Sequence, residues 1–99
     1  ADAVAIGAVA EDSSGYPDCR PAFFTAFEAA IDAGTRPETR LQIETPIIGM
    51  SKGEIIRTGR ALGAPIYRTW SCYRSNGPEP CGSCDSCLLR QRGEAEASL

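Results

Sequence analysis

Ninety-nine residues suffice for one small domain or a part of a larger one. They carry 10 Lys and Arg against 13 Asp and Glu, a net charge of −3, and no histidine. That excludes the basic footprint of a free-standing nucleic-acid binder, and it excludes Ser-His-Asp or Cys-His nucleophiles, the HExxH zinc-hydrolase helix and any His metal ligand.

The longest apolar run, residues 3–10, falls well short of the ~20 residues that span a bilayer, and no basic segment precedes it as in a secretory leader. A cytoplasmic chain without membrane contact is expected, and the start at Ala1 rather than Met points to truncation or processing. Within the run, Ala3–Val9 is apolar without alternation, the pattern of a strand buried on both faces of a parallel sheet. One turn of buried helix is the alternative, which Gly7 and the two valines disfavour. A polar loop follows from Glu11 to Arg20. Pro21 suits the first turn of a helix, where its missing N–H costs nothing. Phe23, Phe27, Ala30 and Ile31 then place an apolar face on that helix before Gly34 stops it. Leu41–Glu44 alternates as a short strand that Pro46 ends. Strand, helix and strand in this order predict a βαβ unit.

Ser51 and Glu54 have the spacing of a capping box, in which each side chain satisfies a backbone donor of the other residue. The helix they open carries Ile55, Ile56, Gly59 and Leu62 on one side and closes at Gly63 and Pro65. Gly53 and Gly59 weaken it by roughly 1 kcal/mol each against alanine, so packing must supply the difference. Beyond Pro65 the composition turns to Cys, Gly, Pro, Ser and Asn, and loops are expected until a last helical turn or two over residues 86–92. Two or three short strands do not make a parallel sheet covered on both faces. The sheet is therefore expected to be incomplete, finished either by partner subunits or by the rest of a larger α/β protein. The composition divides the chain into an α/β part, residues 1–64, and a tail, residues 65–99.

Four of the five cysteines crowd that tail as Cys72-x8-Cys81-x2-Cys84-x2-Cys87. A C-x-x-C turn lets two sulfurs converge on one ion, and Gly82 lets the backbone fold around it. Four thiolates fill the shell of a structural zinc and leave no position for water. The two negative charges left over call for Arg74, Arg90, Arg92 or backbone N–H groups nearby. Iron–sulfur ligation is the main rival, although the fourth cysteine lies upstream and no Cys-Pro follows Cys87. Disulfides are disfavoured in a reducing compartment. Cys19 stands apart and reads as a buried small hydrophobe.

Four collinear blocks carry a resemblance: Ser14-Gly15-Tyr16-Pro17-Asp18-Cys19-Arg20-Pro21; Glu44-Thr45-Pro46 leading to Met50-Ser51-Lys52; Thr69-Trp70-Ser71-Cys72-Tyr73; and Cys81-Gly82-x-Cys84-Asp85-Ser86-Cys87. Together they resemble the QueC (ExsB) family of PP-loop ATP pyrophosphatases over nearly the whole chain. The resemblance implies a Rossmann-like parallel sheet of the adenine nucleotide alpha hydrolase type, with a C-terminal zinc site at Cys72, Cys81, Cys84 and Cys87. It implies an ATP- and Mg2+-dependent ligase, usually a homodimer, that converts 7-carboxy-7-deazaguanine and ammonia into 7-cyano-7-deazaguanine for queuosine. Adenylation of the carboxylate would give an amide, and a second activation with elimination the nitrile. The family's S-G-G-x-D-S phosphate loop has no counterpart here, since Glu11-Asp12-Ser13-Ser14-Gly15 has the wrong order. The chain therefore corresponds to the C-terminal part of such an enzyme and is expected to be inactive alone.

The loop from Asp12 to Arg20 follows a strand, where open α/β sheets bind ligands. Asp18 could pair with the guanidine-like edge of a deazaguanine, Tyr16 stack on its ring and Arg20 hold a carboxylate or phosphate. The residues alone favour a helix cap at Asp18; the resemblance shifts the reading to a mixed role of cap and substrate contact. Lys52 and Arg57 read as a solvated face, and Trp70 as core beside the metal loop. A non-enzymatic zinc-knuckle module binding nucleic acid or protein is the competing class, against which the negative charge and the buried-type strand weigh. A tRNA-thiolating relative of the same superfamily is a nearer rival, opposed by the collinear blocks.

Overall fold

The computed structural model describes residues 2–99, Ser13 and Ser14 in backbone only; Ala1, the start noted above, lies outside the described residues. The chain forms two compact units, Ala1–Gly49 and Met50–Leu99.

In the first unit, strand β1 (Ala3–Ala5), 3-10 turns at Ala10–Ser14 and Pro17–Cys19, helix α1 (Pro21–Gly34) and strand β2 (Gln42–Glu44) follow in order. The strands pair in parallel, with Ala3 opposite Gln42, Val4 opposite Ile43 and Ala5 opposite Glu44, so the expected βαβ unit forms. Ile6 N–H donates to Glu44 O at 2.8 Å, and Ala10 N–H to Ile48 O at 2.9 Å, keeping the two segments side by side beyond their carboxyl ends. Two corrections follow. The regular strand is shorter than the apolar run, and its residues are exposed rather than buried. One helix and two strands leave the faces of β1 in solvent, and among the described residues of this unit Val9 is the buried apolar one.

Helix α1 starts with Pro21 at its first position and ends at Gly34, where Thr35 Oγ1 donates to Ile31 O at 2.8 Å. Its facing differs from the expected stripe. Phe23 and Phe27 are exposed and stack on each other at 5.7 Å, while Phe24, Glu28 and Ile31 are half-buried. The cause is polar: Glu28 Oε2 accepts the backbone N–H of Ile43 at 2.7 Å. Turning Phe23 and Phe27 inward would leave that half-buried strand amide without its acceptor, a loss of ~1 kcal/mol.

The second unit holds helices α2 (Lys52–Ala61) and α3 (Asp85–Ala97), with a 3-10 turn at Ile66–Arg68 between them. Ser51 fills its half of the capping box, its Oγ accepting Glu54 N–H at 3.1 Å. The same hydroxyl donates to Glu96 Oε1 on α3 at 3.3 Å. Ile56 is buried, whereas Leu62, expected on the same stripe, is exposed. Gly63, at φ +81°, closes α2 as expected. Helix α3 runs on to Ala97 rather than stopping near Arg92, because Gly93 is a contact point and not a terminator. A Cβ at Gly93 would lie 2.6 Å from Lys52 Cβ and 3.0 Å from Lys52 carbonyl carbon. One at Gly53 would meet Glu96 Cδ at 2.5 Å. Gly93 exchanges helix propensity for a close approach to the backbone at Lys52 and Gly53, and Gly53 makes room for the Glu96 side chain; together they are the packing that α2 needed.

Gly93→Ala is therefore expected to destabilise this unit despite the ~1 kcal/mol of helix propensity it adds, since overpacking against backbone costs ~1–3 kcal/mol. Gly34→Ala, where a Cβ meets open space, should not destabilise. Urea unfolding of the two variants checks the ranking.

Candidate metal centre

Two local devices gather three of the sulfurs. Gly82 takes φ +76°, a left-handed conformation that favours glycine, and turns the chain between Cys81 and Cys84. Cys84 is the N-cap of α3 and Cys87 sits in its first turn, so their side chains share one face at i and i+3. Cys72 arrives from the preceding loop. The four Sγ atoms all lie within 4.8 Å of one another, and Cys81 Sγ is 3.9 Å from Cys87 Sγ. A tetrahedron with metal–sulfur bonds of about 2.3 Å has edges of about 3.8 Å. The cluster could hold one metal ion, and all five cysteines of the chain are free thiols.

Backbone donors point at the sulfurs. Cys72 Sγ accepts N–H groups from Cys81 (3.3 Å), Ser75 (3.3 Å) and Arg74 (3.4 Å), which lower its pKa below the usual thiol value. Cys81 Sγ accepts from Ser83 N–H (3.4 Å) and Cys84 N–H (3.3 Å), and these hold its pKa down to about 6. Burial pushes Cys87 up to about 12. The site thus favours the thiolate at two positions and the thiol at a third, and a bound cation would supply the charge that deprotonates the third.

Two of the arginines expected to balance this charge, Arg74 and Arg90, bond elsewhere. Arg74 Nη1 reaches Ser83 Oγ at 3.5 Å, and Arg90 is spent on carbonyls, Ser71 and Glu94. Among the described hydrogen bonds it is backbone N–H, with one Ser83 hydroxyl, that faces sulfur from outside the cluster. Trp70 is half-exposed rather than core, and its Nε1–H donates to Cys72 O at 2.7 Å. A hollow of about 430 Å³ opens between Trp70, Pro78, Pro80 and Gln91. Arg57, read as a solvated residue, is exposed but ties α2 to α3 through Glu96 O at 3.1 Å.

In the first unit, Tyr16, Asp18 and Arg20 follow one another around the turn Pro17–Cys19, all exposed. Asp18 does not cap α1: Arg20 is the N-cap, and no side chain bonds there. Arg20 Nε–H donates to Pro17 O at 3.1 Å. Asp18 and Arg20 border an open hollow with Pro17, Ala22 and Phe23. Cys19, half-buried, lies in this unit and outside the sulfur cluster.

Among the described residues, each of the three α-helix N-termini lacks a free phosphate cradle. Proline removes a donor at α1, Ser51 takes one at α2, and α3 opens on the cysteines and Asp85. Gly93 is a residue that spacing alone missed, and Arg90 was singled out as a counter-charge but not for its bonds to residues 66–71.

The chain thus combines one unit built on a small parallel βαβ with another whose four clustered cysteines could hold a metal ion, the class of an α/β protein with a candidate metal centre. Residues 1–98 match the family model described as "Queuosine biosynthesis protein QueC", and the chain belongs to that family. It is 56% identical over 99 residues to a 7-cyano-7-deazaguanine synthase of Chlorobaculum tepidum, covering all of this chain and 43% of that protein. It is 54% identical over 97 residues to proteins of the same name from a Nitratiruptor species and Acidobacterium capsulatum, covering 98% of this chain and 44% and 42% of theirs. The chain thus spans less than half the length of these curated relatives.

Because Cys87 keeps its proton at neutral pH in the metal-free site, metal uptake is expected to release at least one proton per ion. Affinity should rise with pH, since deprotonation precedes coordination. Titration of the chain with a divalent ion in weak buffer, with a pH indicator, measures the release.

Proposed function

We propose that the chain is the C-terminal part of an ATP-dependent carbon–nitrogen ligase that converts 7-carboxy-7-deazaguanine and ammonia into 7-cyano-7-deazaguanine in queuosine biosynthesis. The observation that carries this is the convergence of Cys72, Cys81, Cys84 and Cys87 in a chain of the QueC family. On this reading residues 1–64 continue the Rossmann-like nucleotide-binding domain of the parent enzyme, and residues 65–99 are its zinc-binding tail. Zinc, when bound, cross-links the four thiolates with no open coordination position, so its role is structural. In the first unit Asp18 accepts hydrogen bonds from the guanidine-like edge of the deazaguanine, Tyr16 stacks on its ring and Arg20 holds the carboxylate. An Asp18 carboxylate that is exposed and not used as a helix cap supports this assignment. ATP and Mg2+ belong with the part of the parent that carries a phosphate loop, and the parent acts as a cytoplasmic homodimer.

The purified chain is expected to carry one zinc by elemental analysis and to form no nitrile from 7-carboxy-7-deazaguanine, ammonia and ATP by mass spectrometry. Nitrile formed by the chain alone, or a chain that fails to retain zinc, would contradict the proposal. In the full-length parent, Asp18→Ala is expected to lower kcat/KM by roughly ten- to a hundredfold, the loss of a charged hydrogen bond, with little change in Tm.

A further inference from the structure

Cys81, Cys84 and Cys87 are brought together by a turn and by the start of α3, but eight residues separate Cys72 from Cys81. The stretch that delivers Cys72 is held by one side chain of α3. Arg90, one turn beyond Cys87, donates from Nη2 to Ile66 O at 3.0 Å, and from Nη1 to Thr69 O at 2.9 Å and Ser71 Oγ at 3.3 Å. Its Nε–H goes to Glu94 Oε1 at 2.9 Å. Four acceptors thus take up most of the five N–H donors of a guanidinium. Three of them lie in residues 66–71, directly ahead of Cys72. The fourth, at i+4 on the helix, fixes the fork from behind. A guanidinium is planar, permanently charged and rigid, so these bonds set the approach of Cys72 relative to the helix that carries Cys84 and Cys87.

We propose that Arg90 is a positioning residue for the metal site: it seats Cys72 as the fourth ligand, with Glu94 orienting the guanidinium. The inference rests on the four-thiolate zinc reading above. A lysine would keep the charge and lose the fork, since a single ammonium cannot reach acceptors spread over residues 66–71.

The test uses the full chain, zinc competition against a chromophoric chelator, and cobalt(II) as a spectroscopic substitute. The parent sequence should give the intense thiolate charge-transfer and d–d bands of tetrahedral four-sulfur coordination. Arg90→Lys and Arg90→Met should weaken zinc roughly ten- to a hundredfold, the usual effect of removing an outer-sphere support, and reduce the cobalt spectrum to three-sulfur character. Glu94→Gln should shift both readouts the same way by less. Because Arg90 acts through Cys72, its substitution should have no further effect in a Cys72→Ser background, a non-additivity that a merely structural role would not produce. Zinc affinity within about twofold of the parent sequence in both Arg90 variants, or an undiminished loss in the Cys72→Ser background, overturns the proposal. Should Arg90→Met lose its helical circular dichroism, Arg90→Lys alone and combined with Cys72→Ser decides on the same criteria. A parent chain that gives no four-sulfur spectrum defeats the zinc reading and this inference with it. A four-sulfur parent with indifferent variants defeats this inference alone.

Discussion

The meeting of four sulfurs within 4.8 Å is the constraint around which the second unit is arranged. Its buried apolar side chains are Ile56, Cys72, Cys84 and Cys87, so three of the four are thiols. A core of that size releases little hydrophobic free energy, at about 25 cal/mol per Å² of apolar area. Small domains in this position depend on disulfides or metals. Here the thiols are free, and the backbone already turns five N–H groups towards Cys72 and Cys81. The polypeptide is organised for negative charge at a place where hydrophobic burial supplies little cohesion.

Helix α3 connects this centre to the rest of its unit. Its first turn presents Cys84 and Cys87, its middle holds the strand of chain before Cys72 through Arg90, and its last turns lie against α2. The last contact is close because Gly53 and Gly93 carry no Cβ, and it is fastened by Ser51 and Arg57, both bonded to Glu96. A disturbance at the crossing of the two helices would therefore be transmitted along a rigid element to the sulfurs.

What the sequence disclosed was whatever depends on neighbours a few positions away. The C-x-x-C spacing, the glycine that turns it, Pro21 at a helix start and Ser51 as a cap are local chemistry, and each stands where it was expected. Features set by distant partners were not legible. The face that α1 turns inward is chosen by Glu28 bonding an amide fifteen residues on, which hydrophobic spacing cannot register. Gly93 carries no signal of a helix contact until Lys52 is placed against it, and Arg90 reads as one charge among several until its acceptors, 19 to 24 residues upstream, are in place. The length and exposure of β1 were misjudged because burial depends on what packs over a strand, not on its composition. For the substrate-contact candidates Tyr16, Asp18 and Arg20 the structure adds that Asp18 is not engaged as the cap of α1.

The Glu28 carboxylate has one more effect. In β2, Gln42 and Glu44 direct their backbone groups towards β1, so the amide of Ile43 faces the opposite side, and that is the group Glu28 occupies. A side chain sitting on this margin blocks lateral recruitment of another chain segment there, in the manner of the charged guards that keep sheet borders from templating aggregation. Growth of the sheet is thereby biased to one direction: an additional strand meets less obstruction along the far margin of β1, where Ala3 and Ala5 turn their backbone groups.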